Sequence, residues 1–299
     1  MSTASLDLAE LLPSWLTALR GQRKSPSTLK VYRSGVVSFL EFCAAQGISP
    51  ELTKANVVAW MADLADAEPA TARLRLTAVK LFARWLADEE NFDADPILTV
   101  RSPKLDQRVV PHLSDQAVQA MIRVCDGAEL RDKRDKALVV LFTETGLRAS
   151  EMLALDVSDV SIAECVLVVR RGKGAKGRRS KFSPQAAAVL DKYLRARRKA
   201  GHAGDRGALW VGPRGPLSYT GMKSALKARA EAAGIGGFHP HRLRHTAAVR
   251  WLRAGGSETG LMAQAGWQSR KMIDRYVRSA SEELAADEFD RLNIGVDLT

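Results

Sequence analysis

Three short segments hold the residue types that handle protons and anions. The first is Thr145-Gly146-Leu147-Arg148-Ala149-Ser150-Glu151 and the second His241-Arg242-Leu243-Arg244-His245. The third is Ala265-Gly266-Trp267, followed by Tyr276. Between the first and second lies the run Arg170-Arg171-Gly172-Lys173-Gly174-Ala175-Lys176-Gly177-Arg178-Arg179-Ser180-Lys181. Arginine presents a planar fork matched to phosphate, histidine exchanges a proton near neutral pH, and an indole N–H only donates. His241 and Arg244 are three apart, so on a helix they share one face. The glycines of the basic run let its backbone approach a ligand closely, and a dense run of like charge repels itself until a polyanion neutralises it. Each segment also has a bland account. Gly146 would simply end a helix, with Arg148 and Glu151 an i,i+3 surface pair. Lys173 would be a solvated turn residue, Trp267 a packing anchor and Tyr276 a half-buried core residue.

The distribution of charge bears on the choice. The 299 residues include 45 Lys+Arg and 34 Asp+Glu, a formal net charge of +11. Positions 1–112 hold 13 of each sign, so the whole excess lies in 113–299. Within 170–199 there are twelve basic residues against Asp191 alone, whereas 279–299 holds six acids and one Arg. Such a concentrated basic stripe is the electrostatic footprint of a polyanion partner. For Arg195, Arg197, Arg198 and Lys199 an equally good account is the last turn of a solvated helix, where cations suit the macrodipole. A hydrophobic fraction of 46% excludes a disordered basic tail. No apolar run approaches the ~20 residues of a membrane helix, and the first residues lack the pattern of a secretory signal. Three scattered cysteines, Cys43, Cys125 and Cys165, fit a reducing cytoplasm and speak against a disulfide framework or a zinc cluster.

The elements that must position these residues can be read from caps and periodicity. Apolar spacing from Leu8 to Leu19 predicts a helix that Pro13 would delay. Ser25-Pro26 starts another that Gly47 stops, Thr53 caps a third, and Pro69 opens a fourth. The Pro96 to Pro111 stretch reads as an interdomain linker. Beyond it, Leu113-Ser114-Asp115 starts a helix, others are expected over 132–145 and 148–155, then a strand over Cys165–Val169. The glycine-rich basic run is the hairpin turn and Ser180–Ser183 the return strand. Helices resume over 184–198, 219–233, 241–254, 260–266 and 270–278, with an acidic one over 281–292.

Taken in order, these motifs resemble the tyrosine recombinase (phage integrase and Xer-like) family. Its signature is an Arg in a T-G-x-R-x-x-E turn, a Lys in a β-hairpin, H-x-x-R on a helix, a His or Trp, and a Tyr nine residues later. Here those positions are Arg148, Lys173, His241, Arg244, Trp267 and Tyr276, with Glu151 as the supporting acid. Trp267 stands where many members have His, although Cre-like members also carry Trp there, and Lys176 rivals Lys173. The fold implied is mainly α with a small β-sheet. It comprises an N-terminal helical (SAM-like) core-binding domain over 1–98, a linker over 99–112, and a mixed α+β catalytic domain over 113–299.

The activity implied is site-specific DNA strand exchange through a 3′-phosphotyrosyl intermediate, with no metal and no cofactor. Arg148 and Arg244 would clamp the phosphate, His241 would donate a hydrogen bond or take the tyrosyl proton, Lys173 would protonate the leaving 5′ oxygen, and Trp267 would position a phosphate oxygen. Lys24, Lys30, Arg33, Arg170, Arg171, Lys176, Arg178 and Arg179 are the expected DNA contacts. The acidic terminal helix, with Ala285, Phe289 and Leu292 on one side, would dock on a neighbouring protomer of a homo-tetramer on double-stranded DNA; the alternative is that it folds back on its own domain. The helical pattern begins near Leu8, which leaves no room for a separate arm-binding domain, although accessory proteins could still take part. The expected location is cytoplasmic, at the nucleoid. A type IB topoisomerase-like nicking and resealing enzyme, and a catalytically silent DNA-binding protein of the same fold, are the competing readings.

Overall fold

Polar side chains cap the starts of several helices. The Asp7 carboxylate accepts the N–H groups of Ala9 and Glu10 at 2.9 and 3.0 Å and opens α1 (Leu8–Gly21). Ser25 accepts from Thr28 and opens α2 (Pro26–Gln46), and Thr53 accepts from Asn56 and opens α3 (Lys54–Asp63). Each cap satisfies an orphan donor of the first turn. Pro13 does not delay α1. The helix runs through it because Leu8, Leu12, Trp15 and Leu19 are buried along one face.

The computed structural model describes residues 6–105, 111–170, 177–202, 207–267, 269–277 and 280–293, and for 271 and 275–277 the backbone alone. The chain divides into two compact units, 1–107 and 108–299. The first adds α4 (Pro69–Glu90) and α5 (Asp95–Leu98). Its core joins Trp15, Phe39, Trp60, Leu76, Phe82 and Leu86. Gly35 allows α2 and α4 to touch: a Cβ there would lie 2.6 Å from Ala78 Cβ. The unit continues beyond α5, since Val100 is buried in its core and Lys80 Nζ donates to the carbonyls of Leu98 and Val100 at 2.9 and 2.5 Å.

The second unit comprises α6 (Asp115–Arg123), α7 (Leu130–Thr145), α8 (Ala149–Leu153), β1 (Val160–Ser161), β2 (Val166–Val169), β3 (Arg178–Lys181), α9 (Pro184–Lys199), β4 (Val211–Gly212), β5 (Gly215–Pro216), α10 (Tyr219–Ala232), α11 (His241–Arg253), α12 (Glu258–Ala265), α13 (Arg270–Val277) and α14 (Ser281–Leu292). Helix α7 is central: Leu138, Leu141 and Phe142 join a core with Leu190 and Tyr193 of α9 and Leu243 of α11. The antiparallel sheet has order β1-β2-β3, with Val166 opposite Lys181 and Val169 opposite Arg178. The fold class is therefore as the sequence implies, mostly helical with small sheets.

Some boundaries differ, each for a local reason. The return strand is Arg178–Lys181 rather than 180–183, because Ser183 caps α9 by accepting from Ala186 at 3.0 Å. Ser183 N–H and Oγ are also held by the Glu144 carboxylate at 2.7 and 2.8 Å. Helix α8 begins after Arg148, whose backbone is extended (φ −68°, ψ 150°). Strands β1, β4 and β5 are two residues each, too short to leave a period-2 signal.

Candidate active site

Helix α7 ends at Gly146, whose φ of +60° breaks the helical path. A Cβ there would lie 3.3 Å from Ala247 Cβ and 3.4 Å from Ala265 Cβ, so the turn sits directly against α11 and the end of α12. Thr145 Oγ donates to the Leu141 carbonyl at 2.6 Å, and Leu147 is buried. The chain re-enters helix at Ala149, just after Arg148. Glu151, at the third position of α8, accepts the Arg148 N–H at 2.8 Å and its Nη1 at 2.9 Å. Arg148 keeps a side-chain exposure of 39%, while Glu151 is at 8%.

Glu151 has a second and stronger partner. Arg178, the first residue of β3, donates Nη1 to Oε1 at 3.0 Å and Nη2 to Oε2 at 2.8 Å, a bidentate pair. The same guanidinium donates Nε to the Gln264 carbonyl and Nη2 to the Ala265 carbonyl, both at 3.2 Å. Burial alone would raise the Glu151 carboxyl, but the hydrogen bonds and charge of Arg178 and Arg148 outweigh it and hold the group at about 2. Glu151 is therefore a carboxylate at any physiological pH.

The third part is α11. Arg244 is 1% exposed, and its Nη1 donates to the carbonyls of Gly146 and Ala265. Its guanidinium carbon lies 5.1 Å from the centroid of the buried Trp267 ring, a cation–π contact. Arg178 and Arg244 thus meet on one carbonyl, that of Ala265. His241 is the exposed first residue of α11, with its ring edge-on to His245 at 5.0 Å and near-parallel to His239 at 6.3 Å. Burial pushes the His245 imidazole down to about 3, helped by the neighbouring His241, His239, Arg244 and Arg242, so it is neutral at physiological pH. Thr246 fixes the helix from behind by accepting the Leu113 N–H at 2.9 Å.

Arg148, Glu151, Arg244 and Trp267 therefore converge at the ends of α7, α8, α11 and α12, with His241 one turn from Arg244. Lys173, Arg171 and Lys176 lie outside the described residues. Tyr276 lies on α13, and its side chain lies outside them too. Two guanidinium groups held by fixed acceptors are an arrangement that can receive an oxyanion.

The expected DNA contacts fare differently. Arg178 is not a surface cation; it is 18% exposed and its donors are committed inside the protein. Arg170 pairs with Asp159 and Asp156, and Arg179 with Glu164 at 2.6 Å, though both stay largely exposed. Arg197 is buried and donates to the carbonyls of His202 and Ala208. Part of the basic stripe thus serves the fold. In the first unit, Lys24, Lys30 and Arg33 line an open groove of about 570 Å³ between α1 and α2. Arg20, in the last turn of α1 and four residues before Lys24, joins them, a residue the sequence reading missed. Helix α14 packs against α11 of its own unit: Asp287 and Glu283 face Arg253 at 2.7 and 3.9 Å, while Ala285, Phe289 and Leu292 stay exposed. Among the described residues no helix is long and apolar enough to cross a membrane, and no His/Cys/Asp/Glu group is placed to hold a metal.

The comparisons with known proteins agree with this architecture. Residues 111–283 match the phage integrase family, and residues 11–91 match the phage integrase N-terminal SAM-like domain. Tyrosine recombinase XerC of Mycobacterium tuberculosis is 32% identical over 274 residues, 88% of this chain and 91% of the relative. Tyrosine recombinase XerC of Roseiflexus castenholzii is 30% identical over 260 residues, 82% and 81%. Among solved structures, the XerH site-specific recombinase in a post-cleavage complex with palindromic difH shares the fold. Its TM-score is 0.74 at 14% identity, covering 96% of this chain and 85% of that one.

Proposed function

The chain belongs to the phage integrase family, the tyrosine recombinases, and from that membership we propose that it cuts and rejoins DNA strands at specific sites through a 3′-phosphotyrosyl link on Tyr276. The observation that carries the proposal is a continuous bonded path, Arg148–Glu151–Arg178–Ala265 carbonyl–Arg244, which fixes two arginines at one site. In this reading the Tyr276 oxygen attacks the scissile phosphorus, and the bond to the 5′ oxygen breaks. Arg148 and Arg244 hold the nonbridging oxygens, where negative charge grows in the transition state. Their positions are set before substrate arrives, so no reorganisation is paid at the moment of reaction. His241 takes or shares the tyrosyl proton. Lys173, or its rival Lys176, gives a proton to the departing 5′ oxygen. Trp267 stacks on Arg244 and cannot move a proton, which leaves proton handling to His241 and the lysine. A 5′ hydroxyl from another strand then attacks the phosphotyrosine, reverses each transfer and releases Tyr276.

Double-stranded DNA is the substrate, with the groove of Arg20, Lys24, Lys30 and Arg33 serving the helical unit and Arg171, Arg179 and the hairpin lysines serving the catalytic one. A homo-tetramer on paired sites is the working assembly, with the exposed Phe289 and Leu292 of α14 as its protomer contact. A DNA substrate places the work at the nucleoid. The test is a suicide substrate nicked beside the cleavage site. A covalent adduct is expected with the wild type and not with Tyr276→Phe; no adduct on a footprinted target would overturn the proposal. Two-site plasmids then distinguish recombination from relaxation alone.

A further inference from the structure

Arg178 does something other than bind DNA. Three of its four side-chain bonds lead to groups that hold Arg148 and Arg244, and the fourth goes to the Gln264 carbonyl. Through both carboxylate oxygens of Glu151 it reaches Arg148, and through the Ala265 carbonyl it reaches the acceptor that Arg244 also uses. Arg178 also begins β3, which pairs with β2, so the first residue of that strand is anchored to the same point.

Two further observations show that this junction is built. Gly266 has φ +66°, and a Cβ on it would lie 2.4 Å from the Arg178 guanidinium carbon, so the backbone turn and the guanidinium occupy complementary space. Beside it, Gln264 pairs with the open edge of β3. Its Oε1 accepts the Lys181 N–H at 3.0 Å and its Nε2 donates to the Lys181 carbonyl at 2.5 Å. The edge strand is thereby locked to α12 by a side-chain amide acting as a strand.

We propose that Arg178 is a positioning residue for strand cleavage: it sets Arg148 through Glu151 and Arg244 through Ala265. The inference rests on the recombinase reading of the site. A planar fork is needed, because four acceptor atoms on two elements must be met at fixed angles, and an ammonium group cannot do this. Small misplacements of clamping groups are costly, on the order of 10²-fold per ångström.

The experiment compares wild type, Arg178→Ala and Arg178→Lys on the suicide substrate at saturating protein, with DNA affinity measured across salt. Arg178→Lys retains the charge and stem, and guards against an alanine variant that fails to fold. The expected result is a cleavage rate down about 10–100-fold in both variants, with affinity and the slope of log K against log salt close to wild type. A slope reduced by about one, with saturated cleavage unchanged, would make Arg178 a phosphate contact and overturn the proposal. So would full rescue by lysine, or cleavage within threefold of wild type in a folded alanine variant. If the wild type forms no adduct, the recombinase reading fails, whereas normal adduct in the variants refutes the positioning role alone.

Discussion

Replacing Glu151 by Gln should destabilise the catalytic unit by about 3 kcal/mol, and the structure gives the reason. The carboxylate accepts from Arg148 N, Arg148 Nη1, Arg178 Nη1 and Arg178 Nη2 at 2.8–3.0 Å. Its fall from an ordinary 4.5 to about 2 corresponds to about 3 kcal/mol of preference for the charged form. Most of that comes from Arg178, because Arg148, at 39% exposure, is screened by solvent. Glutamine keeps one acceptor oxygen but turns an N–H₂ group toward a guanidinium, which also only donates. Because the folded pKa is depressed, the contribution is present above about 4.5 and fades as pH falls toward 2. The chain has two units, so the assay must be local. Hydrogen exchange of α7 and α11 amides measures opening of the catalytic unit apart from the helical one. At pH 7 those amides should open about 3 kcal/mol more easily in Glu151→Gln, and the gap to wild type should narrow between pH 4.5 and 3. A variant within 1 kcal/mol of wild type at pH 7, or a gap that widens on acidification, would refute the electrostatic account.

Three further outcomes are expected. Gly266→Ala forces a Cβ into a left-handed turn and into the Arg178 guanidinium, so thermal melts should show a loss of about 1–3 kcal/mol; a change under 0.5 kcal/mol would contradict the packing. Gly35→Ala places a Cβ 2.6 Å from Ala78 Cβ and 3.0 Å from the Arg75 carbonyl, and should cost about 1–3 kcal/mol in the helical unit alone, seen as faster exchange in α2 and α4. Lys30→Ala should weaken DNA binding and lower the salt slope by about one while leaving saturated cleavage intact; an unchanged slope removes Lys30 from the DNA contacts.

Much of the local structure was legible because its causes are local. Ser25, Thr53 and Ser114 each cap the helix that follows, and Gly47 and Gly146 each end one with a positive φ. Boundaries went astray where a distant residue intervened. Ser183 leaves the strand because Glu144, 39 residues earlier, holds its N–H and hydroxyl. The run through Pro13 depends on a buried face, which outweighs one missing hydrogen bond.

By itself, the sequence determined the fold class, the family, and the order and spacing of the arginines, histidine, tryptophan and tyrosine, since periodicity, caps and motif spacing are properties of neighbours along the chain. Its charge gave a sum and an address, and could not say which cations face outward. The fate of each cation was decided by tertiary structure alone. Arg178, Arg197 and Arg244 look like their neighbours in the sequence, yet are drawn inside by carbonyls and carboxylates up to 98 residues away. A guanidinium carries five donors, and whether these go to the protein or remain for a phosphate depends on which acceptors the fold brings within reach.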